Sequence, residues 1–251
     1  MILGIATSLL AVSSCSTVPL TGRSRLSLVD DTQLQQQAAI GYQQLLSDPS
    51  TKVVSTNSAN TQMVKRVGAK IAAAVTQYMN QNGYGDQIQS YKWEFNLIES
   101  KEINAWCMPG GKVAIYTGIL PVTKDEAGLA TVMGHEVSHA LANHGAQRMS
   151  ASQLQELGAV GVSVATGNKS EQAQQIWQQA YGLGSQYGGM LPFSRNHESE
   201  ADMIGLTLMA IAGYNPETAI AFWERMSANS GGQAPPEFMS THPSDATRIA
   251  K

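Results

Sequence analysis

Two histidines, His135 and His139, stand four positions apart, with Glu136 beside the first. On a helix that spacing is about one turn, so both imidazoles share a face and can reach one metal ion. Glu136 then faces a water bound on that metal and can take its proton. His135-Glu136-Val137-Ser138-His139 is an HExxH pattern, the arrangement of a zinc site that hydrolyses peptide bonds. Catalytic zinc needs three protein ligands and one open position, so a third ligand must come from elsewhere. The stretch 194–202 is rich in candidates. Glu198 and Asp202 are four apart and share a helix face. Glu198 can ligate zinc while Asp202 accepts a hydrogen bond from a liganding imidazole and fixes its tautomer. Glu200 points elsewhere and is expected in solvent. His144 is expected at a helix end and His197 at a surface or cleft, neither of them a ligand.

These groups need helices to hold them, and the chain offers several. Apolar positions Leu129, Val132 and Met133 lead directly into His135, with Thr123-Lys124-Asp125-Glu126 as a capping box at the helix start. A second helix is expected from about residue 197 to 212, stopped by Gly213. Upstream, helices are expected over 31–46 and about 60–80, the latter with Met63, Val67, Ile71 and Val75 as its buried stripe. Trp93, Phe95 and Leu97 alternate with polar residues, the period of a half-buried strand. Residues 103–108 and 112–117 form two further strand candidates, joined by Pro109-Gly110-Gly111. Residues 151–192, rich in Gly, Ala and Ser, are expected as helices with mobile connections. Asn215-Pro216-Glu217 opens a helix reaching about residue 228, residues 230–236 form a loop, and a short helix follows His242-Pro243. The fold class is α+β, mostly helical, with a small sheet beside the HExxH helix.

Composition narrows the function. The chain has 251 residues, 14% of them charged, and a net charge of −3, so no basic footprint points to nucleic acid. Residues 2–12 are largely apolar but too short to span a bilayer. Val12-Ser13-Ser14-Cys15 resembles a bacterial lipobox, although no Lys or Arg precedes Cys15. The expected organisation is a signal peptide over 1–14, a lipidated tether over 15–30 anchored through Cys15, and a catalytic domain over 31–251. With no Asp after Cys15, the expected location is the bacterial envelope, as a periplasm-facing outer-membrane lipoprotein. The second cysteine, Cys107, is then alone and reads as a small buried hydrophobe.

Four motifs in order carry a resemblance to peptidase family M48, the gluzincin metallopeptidases. They are Asn104-Ala105 with Pro109-Gly110-Gly111, then the HExxH pattern, then Arg195-x-x-Glu198-x-x-Ala201-Asp202, then His242-Pro243 with Arg248. The resemblance implies a zincin-like fold, one zinc per chain on His135, His139 and Glu198, and Asp202 as their hydrogen-bonding neighbour. It also implies a role for His242 in steadying the tetrahedral intermediate. Asn104 and Ala105 would lie on a strand that pairs with an extended substrate near the scissile bond. The chain resembles the branch of the family without long apolar spans. The implied activity is endoproteolysis of misfolded or damaged envelope proteins, with polypeptides as substrates. The alternative is an envelope assembly factor, with assembly partners and a latent protease site.

Overall fold

The computed structural model describes residues 15–229 together with His242. The expected signal peptide, the 230–236 loop, Pro243, Arg248 and the final helix lie outside the described residues. The segment expected as an extended tether instead forms a hairpin: β1 (Cys15–Thr17) pairs antiparallel with β2 (Ser24–Leu26). Its turn is closed by Val18 N–H donating to the Arg23 carbonyl at 2.8 Å, and the Val18 side chain is fully buried. Apolar burial of that kind is what holds the segment against the domain rather than in water.

Helix α1 (Asp31–Ser47) starts at Asp30, whose side chain accepts from Gln33 N–H, and α2 (Ala59–Gln81) at Ser58, which accepts from Thr61 N–H. Val67, Ile71 and Val75 of the expected stripe are fully buried, and Met63 is half-buried. Three strands follow, β3 (Glu94–Ile98), β4 (Ala105–Met108) and β5 (Lys112–Tyr116), in the order β3-β5-β4. The β4–β5 pair is an antiparallel hairpin around Pro109-Gly110-Gly111, whereas β3 and β5 run parallel. β4 is therefore an edge strand. Val113 and Ile115 of β5 face the main core, while Ala114 faces Tyr42 of α1 on the other side.

After the short α3 (Leu120–Thr123), α4 (Glu126–Leu141) runs through the middle of the molecule, with all but its first two residues buried. Its cap differs from the expected one. Thr123 closes α3, with its hydroxyl donating to the Leu120 carbonyl at 3.0 Å, so Asp125 caps α4 by accepting from Gly128 N–H at 2.8 Å. Asn143 takes a left-handed conformation at φ 53°, which asparagine tolerates better than most residues, and ends that rod. α5 (His144–Thr166) and α6 (Glu171–Ser185) then form a hairpin, and α7 (Leu191–Ile211) begins about six residues earlier than expected, with Pro192 in its first turn. α8 (Thr218–Ala228) starts just after Pro216. The result is the expected α+β architecture, mostly helical, with α4 clasped by α2, α7, α8 and β4.

Candidate metal centre

His135 and His139 lie a turn apart on α4, and α7 crosses behind them. The crossing is unusually close. A Cβ on Gly205 would sit 2.9 Å from the Gly134 carbonyl carbon and from the His135 amide nitrogen, so two glycines let the backbones touch next to the motif. From α7, Glu198 reaches the two imidazoles: its carboxylate oxygens lie 3.3 Å from His135 Nε2 and 3.4 Å from His139 Nε2. The two Nε2 atoms are 3.1 Å apart. A tetrahedral zinc with bonds of about 2.0–2.2 Å holds its donor atoms about 3.3–3.6 Å from one another. The two distances to Glu198 fall in that range and the Nε2–Nε2 distance is about 0.2 Å shorter, and all three groups are buried.

The chemistry of the donors points the same way. His135 Nδ1 donates to Asp202 Oδ1 at 2.9 Å, which leaves the Nε2 lone pair facing the cluster. That lone pair, the His139 imidazole and the Glu198 carboxylate converge within 4.8 Å of one another, a donor set that suits a metal cation. Burial pulls the His135 imidazolium down, but Asp202 and Glu198 outweigh it and lift the ring to about 9. Burial alone would raise Glu198, yet the three imidazoles around it hold its carboxyl far below the usual range. Burial pushes His139 well below its ordinary value, so it is a neutral ring able to ligate. The carboxylates that favour a proton on His135 would equally favour a metal ion there.

Glu136 points toward the same place. Its Oε1 is buried without a hydrogen-bond partner, 3.4 Å from His242 Nε2, and burial raises its carboxyl above the ordinary range. A buried carboxylate oxygen without a partner is costly, and a water in the cluster would supply one. His242 stands closer to the cluster than an oxyanion donor was expected to. Its Nδ1 is 3.2 Å from His135 Nε2 and 3.1 Å from Glu198 Oε2, the place of a fourth ligand.

Asn104 and Ala105 are not in this cluster but at the start of edge strand β4, where Asn104 Oδ1 accepts from Ala105 N–H at 2.8 Å. Cys107 is half-buried, and burial pushes its thiol up, in keeping with an inert apolar role. Two expectations need correction, those for Glu200 and His197, while His144 stands at a helix end as expected. Glu200 is not solvated: it is buried, and although burial would raise its carboxyl, contacts with His144, Arg23 and Thr21 hold it to about 2. His144 begins α5 but faces inward, fully buried, and burial lowers its pKa despite Glu200. His197 is buried too, stacked on His144 with ring centroids 4.0 Å apart, and is pushed down to about 3 mainly by burial. These placements are not legible in the sequence because they depend on partners distant in the chain: Glu200 on Arg23, His144 on Glu200, and His197 on His144. The five-residue step from His139 to His144 across Asn143 was the available signal. Trp223 of α8, edge-on to His135 at 5.5 Å, gave none.

Comparison with known proteins agrees with this geometry. A mitochondrial metalloendopeptidase OMA1 of Schizosaccharomyces pombe is 35% identical over 236 residues, 93% of this chain and 64% of its own length. The human mitochondrial metalloendopeptidase OMA1 is 28% identical across 92% of this chain and 44% of its own length. A beta-barrel assembly-enhancing protease of Escherichia coli is 31% identical across 70% of this chain and 38% of its own length. The chain thus spans less than two thirds of each of these relatives. Their names overturn the expected placement as a bacterial outer-membrane lipoprotein: the mitochondrial relatives match over more than nine tenths of the chain, the bacterial one over less. That expectation rested on the apolar residues 2–12, the four residues ending at Cys15 and the absence of Asp after it, a short stretch beside similarity along most of the chain. No helix among the described residues is long and apolar enough to cross a membrane. The model of peptidase family M48 matches residues 58–251, from the cap of α2 to the last residue, and the chain belongs to that family.

Proposed function

We propose that this chain is a zinc-dependent metalloendopeptidase that cleaves unfolded or damaged polypeptides. The observation that carries the reading is the convergence of His135, His139 and Glu198 at zinc-ligand spacing, with the partnerless Glu136 oxygen beside them. Zinc held there would polarise the scissile carbonyl and make the attacking water more acidic. Glu136 takes the proton from that water and passes it to the leaving amine; a carboxyl raised by burial suits both halves of the transfer. Asp202 keeps the His135 lone pair aimed at the cluster. The edge of β4, unpaired among the described residues and packed against α4, supports pairing with an extended substrate backbone near Asn104 and Ala105. Such pairing is indifferent to side-chain sequence, which favours unfolded chains as substrates.

A second reading is an assembly factor whose protease site is latent, and His242 favours it. With Nδ1 where a fourth ligand would stand, the ring competes with substrate; moved aside, it could donate to the developing oxyanion. One experiment separates the readings: zinc content and casein cleavage for the wild type, Glu136→Gln and His242→Phe. Glu136→Gln should keep zinc and lose cleavage by at least about 100-fold. Near wild-type turnover in that variant would exclude the general-base role. A His242→Phe variant that cleaves faster favours latency, and one that cleaves slower favours the oxyanion role.

A further inference from the structure

His135 is backed by a carboxylate on α7, but His139 has a longer arrangement behind it. His139 Nδ1 lies 2.8 Å from His144 Nδ1, and His144 Nε2 lies 3.0 Å from Glu200 Oε2. Glu200 is gripped in turn by the N-terminal hairpin. Arg23 Nε and Nη2 lie 3.0 and 2.5 Å from Glu200 Oε2, and the Thr21 hydroxyl donates to Oε1. We propose that His144 and Glu200 are positioning residues for His139, and that the hairpin, through Arg23 and Thr21, completes the metal site from 177 residues away. This inference rests on the metal reading above and names what regulates that site.

The hydrogen bonds permit one consistent assignment of protons. Glu200 is a carboxylate and only accepts, so His144 Nε2 carries a hydrogen and donates to it. In the neutral His144 ring Nδ1 is then an acceptor, so His139 Nδ1 is the donor in the bond between them. The lone pair of His139 is left on Nε2, facing His135 and Glu198. A carboxylate backing a ligating imidazole orients the ring and makes it more basic. Here a second imidazole stands between carboxylate and ligand, and hydrogen bonds polarise one another along such a chain.

The surroundings hold each member in place. His144 is fully buried and stacks on His197 with an interplanar angle of 12°. His197 also contacts Phe193, with ring centroids 4.0 Å apart, and its Nε2 lies 3.2 Å from Gln147 Oε1. The left-handed turn at Asn143 swings His144 back toward His139. Glu200 lies two residues beyond Glu198, about 200° round the helix, so one helix supplies a ligand on one side and the relay's carboxylate on the other. Arg23 is the solvent-facing end, with its side chain 36% exposed. Undocking the hairpin would remove the cation that pairs with Glu200 and open the relay to water.

The test is zinc affinity in full-length protein by competition with a chromophoric chelator, with the absorption spectrum of the cobalt-substituted form as a second readout. Glu200→Gln should weaken zinc about 10- to 100-fold and shift the cobalt bands. Arg23→Gln should weaken it by about two- to fivefold, the scale of a partly exposed ion pair, and Arg23→Lys should recover most of that. Tyr42→Phe, which removes a buried hydrogen bond to Val113 on the far face of the sheet, should lower thermal stability with zinc affinity unchanged. Glu200→Gln with zinc affinity within twofold of wild type overturns the relay. If that variant does not fold, Arg23→Gln decides, and unchanged affinity there overturns the proposal. A wild type that holds no zinc would instead sink the metal reading, and the relay with it.

Discussion

Two helix pairs, α4 with α7 and, between them in the chain, α5 with α6, are built on opposite principles. In α4 every residue from Gly128 to Leu141 is buried, and α7 meets it backbone to backbone at Gly134 and Gly205. In α6 no residue is buried, and in α5 the buried residues are confined to its first two turns and Thr166. That second pair is joined by polar side chains: Gln178 Nε2 donates to Ser163 Oγ and the Ala159 carbonyl, and Tyr181 to the Gln155 carbonyl. Its apolar residues face outward, with Val164 78%, Leu157 66% and Ile176 60% exposed. Apolar burial and backbone contact fix the pair that holds the candidate metal site. The neighbouring pair is joined by exposed or half-buried hydrogen bonds and leaves large apolar groups outside. Positioning to a fraction of an ångström needs the first kind of contact, because close-packed interiors have few alternative arrangements.

The largest effect should come from breaking the close crossing. Gly205→Val places a branched side chain where the nearest atoms are backbone of Gly134 and His135, so α4 and α7 must part. Overpacking of this kind costs about 1–3 kcal/mol. The same displacement pulls Glu198 and Asp202 away from the histidines, so zinc affinity should fall at least about tenfold, as loss of supporting contacts does. Urea unfolding and chelator competition on one preparation measure both. A variant with normal stability and normal zinc affinity would show that the glycine contact does not set the site.

Much of the first pair was legible in the sequence. The 3.6-residue period brought His135 and His139 together, and Glu198 and Asp202 lie on one face of α7 as their spacing of four requires. The strands were also visible, because alternation and the Pro109-Gly110-Gly111 turn are local signals. That β3 and β5 run parallel was not visible, since strand order depends on contacts far apart in sequence. The inward turn of His144, the burial of Glu200 and the docking of Arg23 are likewise long-range facts. A charged residue two places from a ligand looks solvated until the arginine that pairs with it is brought from elsewhere. In the α5–α6 pair the helices were legible from composition, but the sequence did not show that Leu157, Val160, Val164 and Ile176 would be exposed.

Asp202→Asn tests the site pair more gently. The amide keeps the shape of the carboxylate but lacks its charge, so the hydrogen bond from His135 Nδ1 weakens while packing is preserved. Zinc affinity should drop about 10- to 100-fold, and the metal-free protein should unfold within about 0.5 kcal/mol of wild type. An unchanged affinity would mean that the tautomer of His135 is fixed without Asp202.

The smallest effect is expected in the second pair, and it sharpens the contrast most. Val164→Ser removes an apolar group from a position that is 78% exposed, so little burial is lost on folding. Serine and valine differ little in helix propensity, and the new hydroxyl stays in water. Stability should therefore change by no more than about 0.5 kcal/mol, and zinc affinity not at all. Tyr181→Phe on the polar inner side should cost more, about 0.5–1.5 kcal/mol, because it removes the hydrogen bond to the Gln155 carbonyl. The two variants measured side by side decide the point. If Val164→Ser were the more damaging, the hairpin would be held by its apolar residues in solution, and the two helix pairs would not differ in kind.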